Sequence, residues 1–265
     1  MLPADGSNVG VAPAIRLQTP FAANGAITCH IRYAGCCAGK PTMSFSLRQV
    51  HDRMPFLHLL TTNPLEAVAW VLAIILAITV HEFSHALVAW LQGDSTAQLE
   101  GRVTLNPIAH VDPVGFIALI LVGFGWGKPV PFNPYNLKAK RWGPALVSLA
   151  GPASNLLGVV VFGLVLRLVL QFSSLPSDNL LITFLILCVQ FNVVLMLFNL
   201  LPVPPLDGSK LLQLLPSRFD YIIENLNKYG FIILLAVVLL GQPFLSRIFG
   251  AVTDFMFSLI LKGLD

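Results

Sequence analysis

The sequence predicts an α-helical polytopic membrane protein with about five to six apolar segments, and three observations support this class. Hydrophobic residues make up 55% of the chain and charged residues only 11%, whereas soluble domains carry about 25% charged residues. The mean hydropathy is +0.77. Several apolar runs also reach the ~20 residues that an α-helix needs to cross a bilayer.

The first 53 residues differ from the rest of the chain, because Gly, Ala, Pro and Thr are scattered through them without helical or strand period. No apolar core of a signal peptide follows a basic start. The stretch is either a disordered extramembrane tail or an upstream extension of a chain that starts at Met43 or Met54. We therefore divide the chain into an irregular N-terminal tail, residues 1–53, and a membrane-embedded domain, residues 54–265.

The first apolar run, Leu65 to Leu91, contains no helix breaker and predicts one helix of about 27 residues. His81 and His85 lie four residues apart on one face of it, with Glu82 beside the first. This spacing lets two imidazoles bind one Zn²⁺ while the carboxylate reaches a metal-bound water. Ionisable side chains in or near a membrane helix are costly and mark function by default. The simpler alternative is a pair of packed or surface histidines.

The connection to the next full span is too irregular for a crossing helix. Its apolar run, residues 116–127, has only about 12 residues, which predicts a re-entrant or partly inserted segment. Before it lies the strand-like run Arg102–Leu105, and after it residues 128–134 are studded with prolines that exclude helix. The two extended pieces predict short membrane-associated β-strands or a hairpin between the first and second full spans.

Two further spans are predicted at Gly143–Leu170 and Leu180–Leu201. The first contains small residues that allow close helix packing, and its Asn155 requires a polar partner in lipid. The last apolar segments, Gly230–Leu240 and Phe244–Leu261, could form two tilted spans or a hairpin.

Two imidazoles leave a catalytic zinc one protein ligand short. Asp207 is favoured as the third ligand because it follows a proline-broken membrane helix, where irregular backbone is tolerated only if it is buried or lines a wet cavity. Alternatively, Asp207 caps a helix that starts near Ser209. Among the others, His110 is more simply a hydrogen-bonded loop histidine, and Asp112 a turn or cap residue. The full set of candidates is Asp207, His110, Asp112, Glu100 and Asp94.

Charge argues for orientation and against nucleic acid. The net charge of +3 is small, and no basic tract interleaved with aromatics occurs, so no nucleic-acid partner is expected. Lys and Arg concentrate in the loops that share one side with His81 and Asp207, which predicts a cell (inner) membrane protein with this site toward the cytoplasm. Cys29, Cys36 and Cys37 match no zinc-ligand spacing and are assigned no role.

Five motifs together resemble one family: HEFSHA, NPIAHVDPVG, GKPVPFNP, GPASN and FNLLPVPPLDG. In this order they resemble the compact prokaryotic branch of the site-2 protease family (peptidase family M50), which are intramembrane zinc metalloproteases. The resemblance covers roughly residues 60–215. It implies one Zn²⁺ per chain held by His81, His85 and Asp207, with Glu82 as general base. It further implies that Asn155 helps to position or stabilise the substrate carbonyl as a catalytic residue.

The resemblance also implies a fold and a substrate class. Residues 54–265 would be the metalloprotease domain, which would hydrolyse peptide bonds within or near transmembrane segments of membrane proteins, as in regulated intramembrane proteolysis. Its partners would be a transmembrane protein or peptide substrate and the lipid bilayer. The segments 101–106 and 128–133 resemble the strands that would hold the substrate extended. Unlike larger members of the family, this chain is not expected to contain a PDZ or CBS domain.

Two other classes of function use the same residues. A metal or proton transporter would use them as a pathway, although no inverted repeat is evident in the sequence. A protein that binds membrane helices without cutting them would retain the fold and lack the catalytic chemistry. The intact HEFSH and LDG motifs argue against this alternative.

Overall fold

The computed structural model describes residues 28–30, 44–46, 55–122, 125–176 and 178–262. In the N-terminal tail, strands β1 (Thr28–His30) and β2 (Ser44–Ser46) pair antiparallel, with Cys29 opposite Phe45. The segment Phe56–Ile260 forms one compact unit. The predicted division between residues 53 and 54 stays a prediction, because the chain around it lies outside the described residues.

The described residues form nine α-helices joined by short loops and 3₁₀ turns. They are α1 (Pro55–Thr62), α2 (Pro64–Leu91), α3 (Thr96–Leu99), α4 (Pro113–Val122), α5 (Gly143–Phe172), α6 (Leu180–Asn199), α7 (Gly208–Leu211), α8 (Asp220–Leu240) and α9 (Gln242–Leu261).

Five of these segments are long and apolar enough to cross a membrane, which confirms the predicted helical polytopic class. They are Pro64–Leu91, Gly143–Phe172, Leu180–Asn199, Ser217–Leu240 and Gln242–Leu261. The ten-residue α4 is different. At 1.5 Å per residue it is about 15 Å long, half of the ~30 Å hydrocarbon core, so it is too short to cross, as predicted.

Helices α2, α5 and α6 pack around a stripe of mostly small residues on α2. Positions four apart on a helix share one face, and small side chains there let neighbouring backbones approach closely. The stripe is buried along its whole length and consists of Ala69, Ala73, Ala77, His81, His85 and Ala89. The two histidines therefore continue the packing face of α2 and point into the bundle.

The predicted strands between the first two full spans are wrong in detail. Among the described residues from 92 to 142, the one β-contact is an isolated antiparallel bridge between Val111 and Gly127. Beside it, the Lys128 backbone N–H donates to the His110 carbonyl at 2.7 Å. Residues 128–133 form no strand ladder, because their prolines have no N–H to donate to one.

A buried arginine holds this loop region together instead of a sheet. Arg102 is 2% exposed, and its guanidinium donates to the carbonyls of Ala109, Lys128 and Pro129. Because these carbonyls flank α4 on both sides, one side chain ties the two ends of the α4 segment together.

The C-terminal segments form two span-length helices of 21 and 20 residues, α8 and α9, joined at Gly241. The predicted start of the first at Gly230 is wrong, since α8 begins at Asp220. Counting only apolar residues missed its first turns, which carry Glu224 and Lys228. Opposite charges four residues apart, with the Glu first, support a helix.

Candidate metal centre

The two histidines of α2 are held by hydrogen bonds from their Nδ1 atoms. His81 Nδ1 lies 2.6 Å from Asn155 Oδ1 and His85 Nδ1 lies 2.7 Å from the Val147 carbonyl oxygen, both on α5. An oxygen of this kind only accepts, so each Nδ1 carries the proton and donates. Each neutral ring therefore keeps a lone pair on Nε2.

The Asp207 carboxylate completes a triangle with these two nitrogens. Asp207 Oδ2 lies 3.1 Å from His81 Nε2 and 3.1 Å from His85 Nε2, and the two Nε2 atoms are 3.1 Å apart. Asp207 occupies the N-cap position of α7, as the alternative interpretation expected, but its side chain makes no capping hydrogen bond. The carboxylate is directed to the histidines instead.

Two glycines explain how the chain returns Asp207 to α2. A Cβ at Gly208 would lie 2.4 Å from the Leu200 carbonyl oxygen, so the turn packs directly against the end of α6. A Cβ at Gly230 of α8 would lie 2.6 Å from Pro204 Cβ. Helix α8 thus packs directly against the proline-rich loop at Pro204. Neither the Gly208 contact nor the Gly230 contact leaves room for a side chain.

The three atoms fit a zinc ion. With Zn–N and Zn–O distances of about 2.0–2.2 Å, ligands in a tetrahedral site are about 3.3 Å apart, close to the 3.1 Å edges of the triangle. Two imidazole lone pairs and a carboxylate oxygen are three acceptors without a proton between them, an arrangement that a cation stabilises. Among the described residues, His81, His85 and Asp207 form the one cluster of three or more such side chains able to hold a metal.

The space beside the triangle depends on the absence of a side chain at Gly151. A Cβ there would lie 2.5 Å from both His81 Cε1 and His85 Nε2. The close packing predicted from the small residues of this span therefore takes place at the candidate ligands His81 and His85 themselves.

Glu82 lies next to the loop that follows α4. A Cβ at Gly127 would be 3.3 Å from Glu82 Oε1 and 3.3 Å from the His110 carbonyl oxygen. Gly127 also lines an apolar cavity between α2, α4 and α6. Its lining includes Ile74, Ile78, Leu119, Trp126, Gly127 and Leu195.

The other candidate ligands have different partners. His110 is fully buried, and its Nε2 lies 2.7 Å from the Thr104 carbonyl oxygen, as expected for a loop histidine. Asp112 Oδ1 accepts from the Gly115 backbone N–H at 2.7 Å, as expected for a cap. Glu100 is exposed.

Asp94, the last candidate, is buried as a structural acceptor. Its carboxylate accepts hydrogen bonds from Thr96, from the Asn133 backbone N–H and from Asn136. Burial alone would raise the pKa of Asp94, but these hydrogen bonds outweigh it and hold that pKa below its usual range. Asp94 therefore ties the end of α2 to the loop that precedes α5.

Asn155 is 1% exposed and contacts the candidate ligand His81 on one side and another asparagine on the other. Its Oδ1 accepts from His81, and its Nδ2 donates to Asn192 Oδ1 at 3.3 Å. A contact with a substrate carbonyl stays a prediction. Sequence reasoning assigned no role to Asn192, although a buried amide inside an apolar span is itself a signal, because it requires a polar partner.

Comparison with known proteins agrees with this geometry. The sequence model of "Peptidase family M50" matches residues 69–241. The Bacillus subtilis (strain 168) protein named "Putative zinc metalloprotease YwhC" is 42% identical over 171 residues, which cover 63% of this chain and 78% of that protein. The Mycolicibacterium smegmatis protein named "Putative zinc metalloprotease Rip2" is 32% identical over 200 residues, covering 71% and 74%. No solved structure matches the chain. The chain belongs to peptidase family M50.

Proposed function

We propose that this protein is a zinc metalloprotease that hydrolyses peptide bonds within or near transmembrane segments of membrane proteins, as in regulated intramembrane proteolysis. One observation carries the proposal: His81, His85 and Asp207 form a zinc-sized triangle inside a bundle of span-length helices, and Glu82 follows His81 directly in the sequence. The family, and the names of the relatives from Bacillus subtilis and Mycolicibacterium smegmatis, support zinc as the metal.

Each site residue has a role in this reaction. A zinc ion bound there would supply Lewis acidity, which can make water more acidic and polarise a carbonyl. Glu82 takes a proton from the attacking water and transfers it to the amine that leaves, so that one water is consumed for each peptide bond broken. His81, His85 and Asp207 hold the metal, one ion per chain.

The surroundings of Glu82 favour an apolar, extended substrate. The cavity beside Gly127 is lined almost entirely by apolar side chains, which suits a residue from a transmembrane segment. A substrate helix hides its peptide bonds in hydrogen bonds, so it must unwind before cleavage. Irregular backbone at membrane depth is tolerated where protein surrounds it, as it does at this site.

Charge supports a location in the cell (inner) membrane with the site toward the cytoplasm. Lys138, Lys140 and Arg141 precede α5, and Lys210 and Arg218 follow Asp207, all at the end of the bundle that carries the metal ligands. An Arg141→Cys variant in intact cells should resist a membrane-impermeant thiol reagent until the cells are opened. Labelling of the variant in intact cells above the wild-type background would show that this end of the bundle faces outward and would contradict the proposed orientation.

The proposed reaction is tested by Glu82→Gln, which removes the base and keeps the ligands. We expect cleavage of a membrane reporter substrate to fall by about 10²–10⁴-fold, with zinc content unchanged by elemental analysis. Glu66→Gln is the matched control, since Glu66 lies in the first turn of the same helix, and it should cleave at the wild-type rate. Cleavage by Glu82→Gln at the wild-type rate would rule out Glu82 as the base. In a separate assay, zinc flux into vesicles that contain the wild-type protein would favour a transporter.

A further inference from the structure

Three hydrogen bonds connect the backbone of α6 to a metal ligand. Asn192 Nδ2 donates to the Cys188 carbonyl at 2.7 Å, and Asn155 Nδ2 donates to Asn192 Oδ1 at 3.3 Å. His81 Nδ1 then donates to Asn155 Oδ1 at 2.6 Å. All three side chains are buried, at 3%, 1% and 5% exposure, so these bonds are shielded from water.

The chain of bonds has only one direction. The Cys188 carbonyl can only accept, so Asn192 must turn its NH₂ toward it and its oxygen toward Asn155. Because Asn192 presents its oxygen to Asn155, Asn155 turns its NH₂ toward Asn192 and its own oxygen toward His81. His81 must then carry its proton on Nδ1 to donate to that oxygen. Reversing either amide would bring two donors or two acceptors face to face in an apolar interior, where an unmatched polar group costs about 1–3 kcal/mol.

The backbone of α5 makes room for this arrangement. A Cβ at Gly158 would lie 2.5 Å from Asn192 Oδ1. Gly151, Asn155 and Gly158 follow the i, i+4, i+7 spacing of one helical face, so a single face of α5 admits the imidazoles, orients His81 and receives Asn192.

We propose that Asn192 is a positioning residue that acts through Asn155 to hold His81 in the tautomer that presents Nε2 to the metal. The inference rests on the proposed zinc site. It assigns Asn192 a role in metal binding without contact with substrate or metal. Partners behind metal ligands typically contribute 10–100-fold in metal affinity or activity.

The first test compares two asparagines of α6. Asn192→Leu should weaken zinc binding by about 10–100-fold in a competition titration against a chromophoric chelator. Asn199→Leu is the matched control, because Asn199 also donates to the carbonyl four residues earlier, that of Leu195, at 3.1 Å. It should bind zinc like the wild type. Equal zinc affinity in Asn192→Leu and the wild type would overturn the inference.

A second substitution separates orientation from packing. A carboxylate accepts on both oxygens and needs no neighbour to orient it, so adding Asn155→Asp to Asn192→Leu should restore zinc affinity. Failure of this rescue would show that Asn192 acts through packing, and would overturn the inference.

Three further outcomes separate the role of Asn192 from the proposed zinc site. If Asn192→Leu does not fold, Gly158→Ala displaces the Asn192 amide while retaining it, and should lower zinc affinity in the same way; unchanged affinity would overturn the inference. If the wild type binds no zinc, the proposed function fails. If the wild type binds zinc and neither substitution weakens binding, only the role of Asn192 fails.

Discussion

Two buried polar clusters near the end of α2 differ in one respect. The metal cluster is the candidate site formed by His81, His85 and Asp207, whose facing atoms are all acceptors when the rings are neutral. The loop cluster is the set of buried polar residues Asp94, Arg102 and His110 in the connection from α2 to α5. Its two charged groups are matched by the surrounding loops, since Asp94 accepts from four donor groups and Arg102 donates to three carbonyls. Two atoms of this cluster, Arg102 Nε and His110 Nδ1, have no partner among the described residues.

This difference separates a ligand site from a scaffold. Three acceptor atoms that lie close together without a donor repel one another. This repulsion is relieved only when a cation or protons bind between them. In the loop cluster the carboxylate and the guanidinium are each matched by several groups of opposite hydrogen-bonding character, so these charges need no bound ligand and hold the loops together. Burial and residue type alone would not distinguish the two clusters, since both contain a histidine and an aspartate that are largely buried.

The largest expected effect comes from removing an aspartate from each cluster. Asp207→Ala deletes a ligand, so zinc content should fall from about one per chain to near zero, and cleavage of a reporter should cease. Asp94→Ala is the matched change in the loop cluster and should retain zinc at the wild-type level. Elemental analysis of both purified variants makes the measurement. If Asp94→Ala lost its zinc while Asp207→Ala kept it, the loop cluster and not the metal cluster would be the zinc site.

A smaller effect is expected from filling the space at Gly151. In Gly151→Ala the added methyl group would lie 2.5 Å from His85 Nε2, so we expect weaker zinc binding in a competition titration. Gly250→Ala in α9 meets no atom within 4 Å and serves as the control for a glycine-to-alanine change. Equal zinc affinity in both variants and the wild type would show that the space at Gly151 is not needed by the metal cluster.

The loop cluster should affect stability and leave zinc binding unchanged. Arg102→Met leaves three carbonyls without their donor, and we expect a loss of about 1–3 kcal/mol in the free energy of unfolding. The exposed Arg247→Met is the control. Thermal unfolding in detergent would measure the loss as a lower Tm. An unchanged Tm for Arg102→Met would contradict the scaffold role.

The smallest effect concerns pH. Because its hydrogen bonds keep the pKa of folded Asp94 below the unfolded value of about 3.9, its charged form stabilises the fold fully above that value. The stabilisation is lost as pH falls through the folded pKa. The Tm difference between wild type and Asp94→Asn should therefore be constant from pH 7 to about 5 and shrink in more acidic buffer. A Tm difference that grows as the pH falls would contradict the prediction that protonation of Asp94 removes its stabilising effect.

The sequence predicted the metal cluster better than the loops. His81 and His85 are four apart on one helix, and Asp207 follows a helix break, so residue types and spacing were sufficient to propose the set. The spans α5 and α6 were predicted to within two residues at each end, because apolar length alone defines them. The family resemblance was confirmed by the match to peptidase family M50.

The remaining features depend on tertiary contacts. That Asn192 meets Asn155 is set by the rotation and offset of α5 against α6, which no local pattern encodes. The predicted strands near Arg102 failed because a buried guanidinium replaces sheet pairing. The start of α8 was missed because its first turns are polar, although they are helical.

The most direct test of the zinc site is X-ray absorption at the zinc edge of the full-length Glu82→Gln protein. We predict a first shell of nitrogen and oxygen only, at about 2.0–2.2 Å, with the outer-shell scattering of two imidazoles. Asp207→Ala should lose this signal. A sulfur shell near 2.3 Å would place zinc on cysteines. Either that result or a protein that binds no zinc would contradict the assignment of His81, His85 and Asp207 as the ligands.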